Sequence, residues 1–185
     1  MRNLILLLAI AVLGLTACGD DDFMPQQINP VDQSLYTPPT WNAFDTTATD
    51  GAPAEQIQRW AEAKPQFPLE ESDSGLFYHI LEEGNDTTAV RTVEAAVFYR
   101  GSFVDGVVFD QTRDDAAVFF PGNLIEGFAE GLELIGERGR IIILVPPALG
   151  YGPNGRAGTS ITGSTVLVFE LTLEDVDPRN NPIGG

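Results

Sequence analysis

Arg140–Leu173, RIIILVPPALGYGPNGRAGTSITGSTVLVFELTL, reads as two apolar strands joined by a long glycine-rich loop, with Tyr151 set between two glycines. Ile141–Val145 is an unbroken aliphatic run, too short for a typical helix and stopped by Pro146 and Pro147, which predicts a buried strand. Thr165–Leu173 alternates instead. Leu167, Phe169, Leu171 and Leu173 share one face, and Val166, Val168, Glu170 and Thr172 share the other, so a strand with one well-buried side is expected. The connector Ala148–Ser164 carries glycines at 150, 152, 155, 158 and 163. Glycine lets a backbone turn sharply or approach a ligand closely, and a loop this long is more often functional than a plain link.

Working outward, Asn123–Ile135 (NLIEGFAEGLELI) is the strongest helical pattern near this stretch: Ile125, Phe128, Leu132 and Ile135 recur at spacing three or four, and Asn123 is the expected N-cap. Gly127 and Gly131 each cost a helix interior about 1 kcal/mol against alanine, which predicts close packing on a flat partner such as a sheet. Thr92–Gly101 alternates with Val93, Ala95, Val97 and Tyr99 on one face, so Tyr99 points with the core valines. Val104-Asp105-Gly106 makes a hairpin turn into a returning strand from Val107 to Asp110, and Gln111–Ala117 is a polar, bulged excursion before Val118-Phe119-Phe120. Ser74–Leu81 is a further strand. Strands, one central helix, and connections of hairpin type predict an α+β domain, an antiparallel sheet wrapped on one short helix.

The N-terminal third has a different character. Residues 1–17 combine a basic start (Arg2) with an apolar run, Leu4–Leu15, too short to span a bilayer and suited to a secretory signal. Cys18, the single cysteine, stands where that signal would be cut. The segment resembles the lipobox of bacterial lipoproteins, in which the cysteine is acylated and becomes the new N-terminus; the alternative is an ordinary signal with an incidental cysteine. With one cysteine, no intrachain disulfide is available. Asp20, Asp21 and Asp22 read either as a solvated start to a tether or as resembling the surface-export signal of some bacterial lipoproteins. Residues 18–70 are expected to be an acylated tether and linker with a short helix over Ala54–Lys64, capped from Asp50 and ended by Pro65. Within it, Trp41 and Phe44 either dock on the folded part or stay partly exposed. The formal charge of −17 disfavours nucleic acid and anionic lipid headgroups as partners. His79, the one histidine, has no second ligand at metal spacing and is expected to be structural or exposed.

Five motifs, in order, then carry a resemblance: Val97–Gly101 (VFYRG), Asp105–Asp110 (DGVVFD), Leu124–Leu132 (LIEGFAEGL), Leu149–Gly152 (LGYG) and Leu167–Leu171 (LVFEL). Together with the entry segment Ser72–Tyr78 (SDSGLFY), residues 72–176 resemble the FKBP-type peptidyl-prolyl cis-trans isomerases. The resemblance implies an isomerase domain over residues 71–177, a C-terminal tail over 178–185, no cofactor and no metal. It implies catalytic roles for Tyr99, Phe109, Asp110, Phe128, Tyr151 and Phe169, and substrate-binding roles for Leu124, Ile125 and Ile161. In the family, the equivalent of Tyr151 donates to a substrate carbonyl and the equivalent of Asp110 bonds to the tyrosine at 99.

The implied partners are proline-containing polypeptides, with tacrolimus-like macrolides a second ligand class that the altered rim would weaken. A monomer lipid-anchored in the bacterial cell envelope is expected, on the outer membrane facing the periplasm or at the cell surface. A chaperone or binding module with the same groove and little turnover is the alternative. The sequence departs from the family pattern in four places. Phe128 stands where the pocket floor is usually tryptophan, and Asp115 falls near the position of the arginine that commonly pairs with the rim aspartate. Ala116–Gly122 is short, with no assignable position for an expected aromatic. Ile161 is followed by Thr162-Gly163 in place of two prolines, which predicts a looser loop.

Overall fold

The computed structural model describes residues 51–179; Cys18, the acidic run, Trp41, Phe44 and Asp50 lie outside them. The element order is α1 (Pro53–Ala63), β1 (Glu70–Glu71), β2 (Phe77–Glu82), β3 (Ala95–Phe103), β4 (Val108–Gln111), β5 (Ala117–Phe119), α2 (Glu126–Glu133), β6 (Arg140–Val145) and β7 (Leu167–Val176). The strands form one antiparallel sheet in the order β1-β2-β6-β7-β3-β4, with β5 also paired to β3. β6 and β7, the two strands of the opening stretch, lie side by side in register from Arg140↔Thr172 to Val145↔Leu167.

The glycines of α2 explain how it meets this sheet. A Cβ at Gly127 would sit 2.7 Å from Val145 Cγ1, and one at Gly131 would sit 3.0 Å from Ile143. The helix therefore rests on β6 at backbone distance, and glycine's cost in helix propensity is offset by packing no side chain would permit. Leu132, Ile135, Ile141, Ile143, Val145, Leu167, Phe169, Leu171 and Leu173 form the core between helix and sheet.

Burial on the other sheet face corrects the expectation of one buried side for the last strand. Val166 and Val168 pack with Ile142 and Leu144 against Ile57 and Trp60 of α1 and against Phe67. The helix read as part of a linker thus covers the outer face, which is why Ile141–Val145 could be apolar without alternation. Gln56 fixes it. Fully buried, its Nε2 donates to Gly51 O and Ser164 O, each at 3.1 Å, and its Oε1 accepts from Val166 N–H at 3.0 Å. Every polar group of the side chain has a partner, so burial carries little penalty. Among the described residues α1 is capped at Ala52, whose N–H donates to Glu55 Oε2 at 3.3 Å, with Pro53 in the first turn.

The start of α2 also differs from expectation. Asn123 is not its N-cap: Pro121–Asn123 forms a separate 3₁₀ turn, and the helix begins at Glu126 behind Ile125, whose backbone is extended at φ −63°, ψ 147°. Pro121 has the fixed φ a helical start needs, and its carbonyl accepts from Leu124 N–H at 3.0 Å, which closes the turn early. Leu124 is then extended (φ −96°, ψ 175°). Two residues that would have been helical become a lip beside the sheet.

Candidate active site

The site is assembled from five parts of the chain. The β3–β4 hairpin supplies Tyr99, Phe109 and Asp110; β5 supplies Phe119; the lip and first turn of α2 supply Leu124, Ile125 and Phe128; the glycine loop supplies Tyr151 and Arg156, and β7 supplies Phe169. Together with Asn123 they line a cleft of about 470 Å³, within the ordinary range of small-ligand sites.

A bulge makes the hairpin contribution possible. β3 and β4 pair Gly101 with Asp110 and then Ser102 with Val108, so Phe109 is an extra residue on its strand. Strict alternation would send Phe109 and Asp110 to opposite faces; the bulge re-aims them into the same cleft. Beyond it, Thr112 holds the hairpin closed. Its N–H and hydroxyl donate to Tyr99 O at 3.0 and 3.2 Å, and its Oγ1 accepts from Tyr99 N–H at 3.0 Å.

The floor is a set of edge-to-face rings. Phe128 meets Phe169 at 5.2 Å and 76°, Tyr99 at 5.8 Å and 77°, and Phe119 at 6.4 Å and 80°. Phe109 meets Phe169 at 5.6 Å and 87°. These spacings and angles are the favourable ones for aromatic pairs, in which the positive edge of one ring faces the negative face of the next. Gly101 lies beneath, where a Cβ would come 2.6 Å from Phe109 and 2.8 Å from Phe169. Phe128 and Phe169 are each only 5 % exposed, so the floor is dry and apolar.

The rim is polar. Tyr99 donates its hydroxyl to Asp110 Oδ2 at 3.0 Å. Burial, reinforced by this carboxylate, pushes the Tyr99 phenol up to about 12, so it is a neutral donor at any physiological pH. On the far side Arg156 Nη1 donates to Tyr151 Oη at 3.4 Å, with the guanidinium 5.6 Å from the ring centroid. Arginine has no acceptor, so Tyr151 accepts in that bond and keeps its own O–H to donate to a ligand.

Eight of the nine sequence-derived site residues meet in this cleft. The ninth, Ile161, does not line it: at 5 % exposure it packs in the core. From there it anchors the loop, since its carbonyl accepts from Arg156 N–H at 2.9 Å and its N–H donates to Thr159 Oγ1 at 3.2 Å. The loop end expected to be loose is also bridged. Gly163 lies against the Pro153 carbonyl, Ser164 N–H donates to Gly152 O at 3.3 Å, and the Thr162 and Thr165 hydroxyls share a bond at 3.0 Å.

Phe119 and Arg156 were missed by sequence reasoning. Phe119 was legible in part, because period two places it opposite Val118 and Phe120, both more than 40 % exposed. Asp110 forms no ion pair with Arg113 among the described residues; Tyr99 is its partner instead. His79 is structural, its Nδ1 donating to Pro68 O at 2.9 Å and its ring 5.5 Å from Phe67. Among the described residues no group of three His, Cys, Asp or Glu side chains is placed to hold a metal ion.

Residues 85–174 match the family model described as FKBP-type peptidyl-prolyl cis-trans isomerase. Those residues form a domain of that family. A probable FKBP-type isomerase of Haemophilus influenzae is 36% identical over 111 residues, covering 59% of this chain and 46% of the relative. The chain thus spans less than half the length of that protein. Among solved structures, FkpA from Escherichia coli aligns with a TM-score of 0.60 at 31% identity, over 68% of this chain and 59% of the other. A peptidyl-prolyl isomerase from Pseudomonas syringae shares the fold, with a TM-score of 0.59 at 23% identity over 74% of this chain and 98% of the other. Phe128, which stands where the resemblance implies a tryptophan, is packed by Phe119 from the β5 side.

Proposed function

We propose that this protein catalyses cis-trans isomerisation of X-Pro bonds in polypeptides. The observation that carries the reading is the dry aromatic floor, centred on Phe128 and Phe169, beneath two tyrosine hydroxyls. A peptide bond resists rotation by roughly 18 to 20 kcal/mol because its C–N bond is partly double. The two X-Pro isomers themselves differ by only about 0.5 to 1 kcal/mol. A catalyst therefore needs to favour the twisted form, not one isomer. Twisting removes resonance and makes the amide less polar, so a water-poor aromatic site that holds the proline ring favours the twisted state over the planar one. Tyr151, with its hydroxyl proton available, donates to a carbonyl of the bound segment and fixes the chain while the bond turns.

The test is isomerisation of a short X-Pro peptide followed by NMR exchange. Rates above the uncatalysed rate, proportional to protein concentration, support the reading; rates equal to buffer overturn it. A polypeptide-binding module with little turnover is the second reading, favoured by Phe128 in place of the larger tryptophan. It predicts saturable peptide binding without that acceleration.

We also propose that residues 1–17 are a signal peptide and that acylated Cys18 anchors the domain in the cell envelope. The support is the apolar run followed by a lone cysteine at the cleavage position. Two or more acyl chains give stable membrane attachment where one is marginal.

A further inference from the structure

Asp110 and Arg156 are the two charged residues that line the cleft, and they differ in how they are partnered. Asp110 accepts the Tyr99 hydroxyl. Arg156 touches Tyr151, but among the described residues no carboxylate lies within ion-pair distance of it. Arg91, Arg140 and Arg179 are each paired with one or two glutamates. In a chain with a formal charge of −17, a cleft-lining cation with no carboxylate within ion-pair distance is available to an acidic ligand.

Its position is held from both sides. The backbone N–H of Arg156 donates to Ile161 O, and its carbonyl accepts from Thr159 N–H at 3.2 Å and Thr159 Oγ1 at 2.8 Å. The guanidinium carbon lies 5.6 Å from the Tyr151 ring centroid, within cation–π reach of the ring. One of its five donors reaches Tyr151, and the fork that remains matches a carboxylate in geometry and charge.

We propose that Arg156 is a specificity-determining residue that favours target prolines carrying an Asp or Glu side chain immediately before or after them. The inference rests on the isomerase reading for the choice of ligand. With the proline ring on the Phe128–Phe169 floor, a flanking side chain extends toward the rim, where Tyr151 and Arg156 stand. The acidic body of the protein repels such a segment at long range, and Arg156 reverses that preference locally. Because the guanidinium is solvent-exposed, the effect is modest: roughly two- to fivefold at low salt, in line with exposed ion pairs, and smaller at high salt.

The experiment compares end-capped peptides, whose one carboxylate or ammonium is the side chain beside proline. Glu, Gln and Lys are placed before it in one series and after it in another. Relative kcat/KM is measured for the wild type, Arg156→Gln and Arg156→Glu. The expected result is a Glu-over-Lys preference in at least one series that disappears in Arg156→Gln and inverts in Arg156→Glu. Equal Glu-to-Lys ratios in all three proteins overturn the inference while leaving the isomerase reading intact. If no peptide is isomerised, that reading fails, and affinities of the same peptides measured by calorimetry decide the role of Arg156. A charge preference that inverts in Arg156→Glu sustains it; equal affinities, or no binding at all, overturn it.

Discussion

The Tyr99 hydroxyl donates to Asp110 Oδ2 at 3.0 Å across the β3–β4 hairpin, and the pair forms one rim of the cleft. Asp110 is paired with Gly101, two residues from Tyr99 and on the same face, and the bulge adds Phe109 to that side. Burial and the carboxylate raise the Tyr99 pKa to about 12. An unfolded tyrosine ionises near pH ~10. Between those values the folded chain keeps a proton that the unfolded chain has lost, so stability present below pH ~10 falls as the pH rises toward 12. Ultraviolet titration is expected to show a late-ionising phenol that is missing in Tyr99→Phe. Tyr78, also shifted upward by burial and by Glu70, remains in both proteins, so the difference spectrum isolates Tyr99. Identical titration curves would refute the assignment.

Gly101→Ala tests the floor from beneath. The added methyl would meet both Phe109 and Phe169 at less than normal contact distance, and overpacking of this kind costs roughly 1–3 kcal/mol. Urea denaturation is expected to show that loss, with a fall in kcat/KM of tenfold or more, an order-of-magnitude figure for misplacing groups at a site. Stability reduced with turnover unaffected would show that the rings do not set the site.

Tyr151→Phe removes a donor and leaves the ring under Arg156; Phe169→Ala removes a wall of the floor. The first is expected to lower kcat/KM by about tenfold, the equivalent of one modest hydrogen bond. The second is expected to lower it further and to cost roughly 3–5 kcal/mol of stability, as for other buried aromatics. Full activity in both variants would place the reaction elsewhere.

Gln56→Leu leaves Val166 N–H, Ser164 O and Gly51 O without their partner. A loss of roughly 1–3 kcal/mol is expected for stranding buried polar groups. Trp60→Ala, which opens the outer sheet face, is expected to cost roughly 3–5 kcal/mol. Unchanged denaturation midpoints in both would mean that α1 adds nothing to the folded domain.

Cys18→Ala is expected to move the protein from the membrane fraction to the soluble fraction of its host. Unchanged fractionation would remove the lipid anchor from the proposal.

Periodicity alone identified the elements that matter most. The run Ile141–Val145, the alternation of Leu167–Leu173 and the helical spacing of Phe128, Leu132 and Ile135 each reflect a burial pattern that local geometry imposes on any chain. Gly127 and Gly131 even announced the sheet beneath their helix, because interior glycines are tolerated only where something approaches closely. Relations between distant residues were not legible in this way. No local rule places Phe119 against Phe128, seats Arg156 over Tyr151, or withdraws Ile161 from the cleft into the core. Nor does any show that Gln56 reaches Val166 and seals the second sheet face. Those outcomes depend on the pairing of β5 with β3, the packing of α1 on the outer sheet face and the folded path of the glycine loop. Each sets the direction of a side chain through tertiary contacts that residue order does not record.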